Sequence, residues 1–121
     1  MAKKEVVEKV RPIVITDENG EKFTLEFNRE AVRFAEMRGF DLDDVAKTPM
    51  TKVPEMFYYA FRMHHKNVSR QKTDKIFFEG IGGHSNMPEG FLERLFQLYA
   101  EPFNALNDEG EGKNPTATVE M

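Results

Sequence analysis

The chain has no cysteine among its 121 residues. That excludes disulfides, thiolate metal sites and cysteine nucleophiles together, and it fits a reducing cytosol. No apolar run approaches the ~18 residues that a membrane span needs. The opening stretch, Met1 to Val10, lacks the long apolar core of a secretory signal. A basic excess is missing too. The 17 Lys and Arg face 21 Asp and Glu, for a net charge of −4, so nucleic acid is disfavoured as a partner. What the chain does have is aromatic and thioether mass: eleven Phe, three Tyr and seven Met. Phe brings large buried area per residue, and Met brings soft surface that suits both cores and adaptable binding faces.

Local patterning predicts an α+β domain. Arg11–Thr16 reads as a strand centred on Ile13, Val14 and Ile15. Asn19-Gly20 follows, a hairpin signal because both residue types tolerate positive φ. Glu21–Phe27 alternates, with Phe23, Leu25 and Phe27 on one face and Thr24 and Glu26 on the other, as a half-buried strand does. Asn28 is placed to cap a helix to about Arg38 that buries Ala31, Phe34 and Ala35, and Gly39 stands where a left-handed C-terminal cap belongs. Asp41 is the expected cap of a short second helix, with Phe40 and Val45 spaced as a hydrophobic staple. A third helix is expected from Thr51 to about Lys66, the most buried of the set. A fourth is expected from Ser69 to about Gly80 with Thr73, Ile76 and Phe77 inward. Ile81–Asn86 reads as a loop. The last helix is expected over about Pro88–Ala100, interrupted at Pro102. The resulting expectation is an N-terminal β-hairpin packed on about four to five short helices. Residues 1–10 form a flexible lead, 11–106 a single globular unit and 107–121 a disordered acidic tail.

Chemistry-bearing clusters are few. His64 and His65 are adjacent, so on a helix they point ~100° apart, and His84 is remote; a shared metal ion is not expected. Gly80-Ile81-Gly82-Gly83 follows a helix and no Lys comes after it, unlike a phosphate loop. Asp41, Asp43 and Asp44 lack the Gly and the closing Glu of a calcium loop and suit helix starts instead. Arg62, Lys66, Arg70, Lys72 and Lys75 make a locally basic stretch that lacks interleaved aromatics for base stacking, and reads as a solvated face or a dock for an acidic protein. No nucleophile–base pair or carboxylate pair stands out. No catalytic, cofactor-binding or metal-binding residue is expected, and the chain is read as a protein binder and not an enzyme.

The order of segments nevertheless carries a resemblance. The string Asp17-Glu18-Asn19-Gly20-Glu21-Lys22-Phe23-Thr24-Leu25-Glu26-Phe27 runs into Asn28-Arg29-Glu30-Ala31-Val32-Arg33-Phe34-Ala35-Glu36-Met37-Arg38-Gly39-Phe40. Phe57-Tyr58-Tyr59-Ala60-Phe61-Arg62-Met63-His64-His65 and Glu93-Arg94-Leu95-Phe96-Gln97-Leu98-Tyr99 follow, and Lys113-Asn114-Pro115 and Val119-Glu120 close the chain. Together, over residues 11–121, this resembles the small tail assembly chaperones of long-tailed bacteriophages that infect Gram-positive bacteria. The resemblance implies a factor of the host cytoplasm, absent from the mature virion. Such a factor holds the helical, aggregation-prone tape-measure protein and yields it to tail-tube subunits, and it often has a longer frameshifted form as well.

A holdase of this kind needs apolar area beyond what its own interior absorbs. The residues placed to line a groove for a helical client are Met56, Tyr59, Met63, Phe96, Tyr99 and Phe103. The expected partners are proteins, with a homo-oligomer also compatible with the sequence, and with neither a membrane nor a cofactor. Two other readings stay open: a structural head–tail connector or other minor phage component, and a small nucleic-acid-binding regulator using the Arg62–Lys75 stretch.

Overall fold

A computed structural model describes residues 10–112. Two strands, β1 (Ile13–Thr16) and β2 (Lys22–Leu25), pair antiparallel with Ile13 opposite Leu25 and Ile15 opposite Phe23. Six helices follow: α1 (Arg29–Met37), α2 (Asp44–Lys47), α3 (Pro49–Tyr59), α4 (Arg70–Lys75), α5 (Gly83–Asn86) and α6 (Phe91–Gly112). One π turn, Ile76–Gly80, continues α4. The α+β expectation, a hairpin at the N-terminal side packed on short helices, is the architecture observed. Residues 1–9 of the flexible lead and the end of the tail, 113–121, lie outside the described residues; Val10 packs against the core and 107–112 continue α6.

The hairpin loop closes differently from a two-residue Asn-Gly turn. Asp17 and Glu21 still pair across it, so the loop proper is Glu18-Asn19-Gly20. Of these only Gly20 has positive φ, at +84°. A three-residue loop with its last residue left-handed is the next commonest hairpin solution. The Asp17 carboxylate anchors it by accepting from the backbone N–H of Asn19 and Glu21, both at 2.9 Å. Those bonds, the Glu21 one first, hold the Asp17 carboxyl below the ordinary carboxylate range against a smaller opposing desolvation.

The alternation of β2 puts Phe23, Leu25 and Phe27 into the core, where all three are buried. Asn28 caps α1, its Oδ1 accepting from the Ala31 N–H at 2.8 Å. At the other end Gly39, at φ +89°, donates to the Glu36 carbonyl while Phe40 donates back to the Ala35 carbonyl. This double closure reverses the chain and drives Phe40 inward. Asp41 caps a turn rather than a helix: its Oδ1 accepts from the Asp43 N–H, and α2 begins only at Asp44. Phe40 and Val45 are both buried, as their spacing suggests.

Within Ile81–Asn86, which reads as a loop, residues Gly83–Asn86 form the short helix α5. Two helices depart from their expected bounds for identifiable reasons. α3 starts at Pro49, whose fixed φ suits a first turn, and stops at Tyr59, short of Lys66. The early stop leaves the Ala60 carbonyl free of a helical partner, and it accepts from the Glu26 N–H at 3.0 Å. α6 begins at Phe91 instead of Pro88 because Gly90 sits at φ +81°, which a helix interior does not allow. It then runs through Pro102 without interruption. Ser69 caps α4 as expected, accepting from the Lys72 N–H, and Thr73, Ile76 and Phe77 face inward. The π turn directs Phe77 into the core and its neighbour Phe78 outward, with the rings 5.0 Å apart and nearly perpendicular.

Candidate protein-binding surface

The six residues expected to form a client groove do not form one. Met56, Tyr59 and Tyr99 are buried. The physical reason is Phe40, which the α1 cap places between the two tyrosines, its ring 5.5 Å from Tyr59 and 5.6 Å from Tyr99. Phe27 meets Tyr99 edge-on at 4.9 Å and closes the seam from the hairpin side. These edge-to-face contacts fill the space that local sequence left as a groove. Tyr59 donates its hydroxyl to Glu55 at 3.0 Å, and Glu55 also receives Lys52 at 3.1 Å. Desolvation, with that hydrogen bond second, pushes the Tyr59 phenol up to about 12; desolvation does the same to Tyr99, also to about 12. Both phenols therefore stay protonated at physiological pH. Met63, in the turn after α3, is half-buried.

Phe96 and Phe103 have a different fate, decided by their position on α6. One face of this helix, Phe91, Leu95, Leu98, Tyr99 and Pro102, is buried. Beside it runs a second apolar row, Leu92, Phe96, Ala100 and Phe103, spaced 4, 4 and 3 residues apart. The first three are half-buried, and Phe103 is 44% exposed although its ring lies 6.1 Å from Tyr99. At 100° per residue the two rows make an apolar arc of about 200°, roughly twice the stripe that a core-facing helix requires. Acidic and polar residues, Glu93, Gln97 and Asn104, bound the row on its solvent side. The sequence signal was legible in the 92, 96, 100, 103 spacing; Leu92 and Ala100 belong with the two phenylalanines, whereas the buried tyrosine and methionine do not.

Other clusters resolve into structural roles. His64 Nε2 lies 2.8 Å from Glu26 Oε1. His65 Nε2 accepts from the Thr24 backbone N–H at 2.9 Å. An accepting Nε2 is an unprotonated one, so this imidazole is neutral with its proton on Nδ1. Burial, and then the neighbouring His64, hold its pKa below the ordinary 6.5. His84 Nε2 bonds the Pro49 carbonyl at 3.0 Å. Among the described residues no group of three or more His, Asp or Glu is placed to hold a metal ion.

In the basic stretch, Arg62 lies over the Phe34 ring at 3.9 Å and reaches Glu30 at 3.3 Å, and Arg70 pairs with Asp74 at 2.9 Å. Lys72 meets Asp17 at a looser 3.6 Å. Gly82 and Gly83 make a tight left-handed turn at φ +101° and +66°. A Cβ on Gly82 would lie 2.7 Å from the Asn86 Cβ, so the glycine there answers to packing.

The architecture and surface define a small hairpin-on-helices domain whose longest helix carries a partly exposed apolar flank. The chain belongs to the family described as Domain of unknown function (DUF5055), whose model matches residues 1–121. No curated protein and no solved structure matches it. Among the described residues no helix is long and apolar enough to cross a membrane.

Proposed function

We propose that the chain is an assembly chaperone that holds the long, helical tape-measure protein of a bacteriophage tail in the host cytoplasm and is shed before the particle is complete. The observation that carries the reading is the flank of α6. Leu92, Phe96, Ala100 and Phe103 form a helix-spaced apolar row at the margin of the core, the first three half-buried and Phe103 44% exposed. Such a row takes an amphipathic helix at i, i+4 and i+7 positions, which is the chemistry a tape-measure segment offers. The order of segments shared with the tail assembly chaperones supports the same choice of client. With Met56, Tyr59 and Tyr99 buried, the contact set becomes Phe96 and Phe103 from the original six, joined by Leu92 and Ala100.

Co-expression with the tape-measure product of the same genome tests this. The wild-type chain should keep that product soluble and copurify with it, and Phe96→Ser/Phe103→Ser should not. A tape-measure protein that neither binds nor stays soluble with the wild-type chain ends the reading. Mass spectrometry of purified particles separates the alternatives: a chaperone is missing from them, and a connector component is present.

A further inference from the structure

The hairpin has two outer edges, and they are treated differently. Thr24 directs its N–H away from β1, to His65 Nε2, and Glu26 directs its own to the Ala60 carbonyl. The outer edge of β2 is thereby closed by the turn after α3. Thr24 lies opposite Val14, so this pair exchanges no ladder bonds, and the N–H and C=O of Val14 face outward from β1. By the same alternation so do those of Thr16. Among the described residues neither has a backbone partner on that side, and Val14 is 59% exposed.

At the Thr16 end of this edge lies a cleft of about 470 Å³. One wall is Ile15 and Thr16 of β1 with the hairpin loop; the other is Lys72, held by Asp17, with Lys75, Ile76 and Glu79 of the α4–π segment, closed by Ile81. No residue of β2 lines it. We propose that this cleft is a docking site for an extended peptide segment, which adds to the outer edge of β1 as a third strand. The occupant follows from two features. Donors and acceptors repeating at Val14 and Thr16 match an extended backbone. Charge then sets its side chains. Lys75 is exposed with no ion-pair partner among the described residues, and Glu79 stands one turn on, also exposed. A segment with a carboxylate facing Lys75, and a basic or neutral residue facing Glu79, complements the wall. Half-buried Ile81 offers apolar contact to its alternate side chains, while Ile15 and Ile76 border the cleft from within the core. Pro12 ends the edge, since it has no N–H to donate, which limits the added strand to a few residues and blunts open-ended sheet growth. The site is separate from the α6 flank and does not depend on it.

The test is selection of a displayed random octapeptide library on the whole chain, followed by amide chemical shifts. Enriched peptides should alternate apolar or β-branched residues with at least one Asp or Glu, and should shift the Val14 and Thr16 amides. Methylating alternate backbone nitrogens of the best peptide in one register, but not in the other, should weaken binding about tenfold or more, the loss of roughly one hydrogen bond to a desolvated edge. Val14→Pro removes an outward donor without touching the β1–β2 ladder and should produce a comparable loss, and Lys75→Glu should reverse the preference for acidic peptides. An unenriched library overturns the proposal. So do peptides that leave the Val14 and Thr16 amides unmoved, or binding indifferent to N-methylation. None of these outcomes alters the tape-measure co-expression result, so the two readings fail separately.

Discussion

The two apolar rows of α6 occupy one helix, share its residue types and differ only by the angle at which they leave it. Phe91, Leu95, Leu98 and Tyr99 are buried, Phe91 against Phe57 of α3 and Tyr99 against Phe27 and Phe40; a step around the cylinder Leu92 and Phe96 pack only partly against that core, Ala100 is half-buried and Phe103 is largely exposed. Held by the Gly39 turn, Phe40 supplies the ring that packs against both Tyr59 and Tyr99 and seals the first row. The contrast teaches that apolar content on a helix does not by itself say what is core. Which row is sealed depends on a residue about fifty positions away in sequence.

Breaking the sealed side should have the largest effect. Phe40→Ala empties the space between two tyrosines and should destabilise the fold by about 3–5 kcal/mol, read as a lower urea midpoint. It should also expose Tyr59 and Tyr99, so their hydroxyls should titrate below the native value of about 12. Leu95→Ala, in the buried row itself, comes next. It should cost about 2–5 kcal/mol, with the spread set by how far the cavity collapses. If either variant unfolds at the wild-type denaturant concentration, the sealed seam is not what holds the domain together.

The hairpin edges make the same contrast in polar terms, at about 1 kcal/mol. His65 must be neutral to accept from Thr24. Its native pKa lies below the ordinary 6.5, so just under that pH the unfolded chain binds more protons than the native one. The His65 contribution is therefore complete above about 6.5 and is lost as pH falls through the lowered native pKa. Protection of the Thr24 amide, relative to its intrinsic exchange rate at each pH, should fall over that window. In His65→Gln, an acceptor that does not titrate replaces the ring, and that fall should vanish. Thr24 protection that stays constant through the window would show that the β2 edge is held by something other than the imidazole.

What could be seen in the sequence, and what could not, divides by distance along the chain. The period-two burial of Phe23, Leu25 and Phe27, the caps at Asn28 and Ser69 and the left-handed Gly39 each depend on groups within a few residues, and each was legible. The His65–Thr24 bond spans 41 residues, and the Phe40 wedge joins three separate elements. No local pattern encodes such meetings, and for that reason half of the six groove candidates proved to be interior. The end of α3 belongs to the same class, since it is coupled to a carbonyl that the distant Glu26 needs; the start of α6 is local, because Gly90 is the residue type that takes the left-handed φ which delays the helix to Phe91.

The smallest effect on stability is the one that bears most on function. Phe103 is 44% exposed, and its removal leaves no buried cavity. Phe103→Ser should therefore change folding stability by only about 0.5 kcal/mol in either direction, as surface substitutions do. Leu95→Ala, eight residues earlier on the same helix, should cost several times more while leaving the outer row intact. If the outer row is a working surface, the order inverts for partner binding: Phe103→Ser should remove most of the tape-measure holding, and Leu95→Ala, assayed at a temperature where it is folded, should retain it. The inversion is what a purely structural α6 cannot produce, because there loss of binding would follow loss of stability. Measuring both variants for urea midpoint and for client solubility on one preparation decides between the two, and a Phe103→Ser chain that holds its client as well as wild type would return the second row to the status of solvated surface.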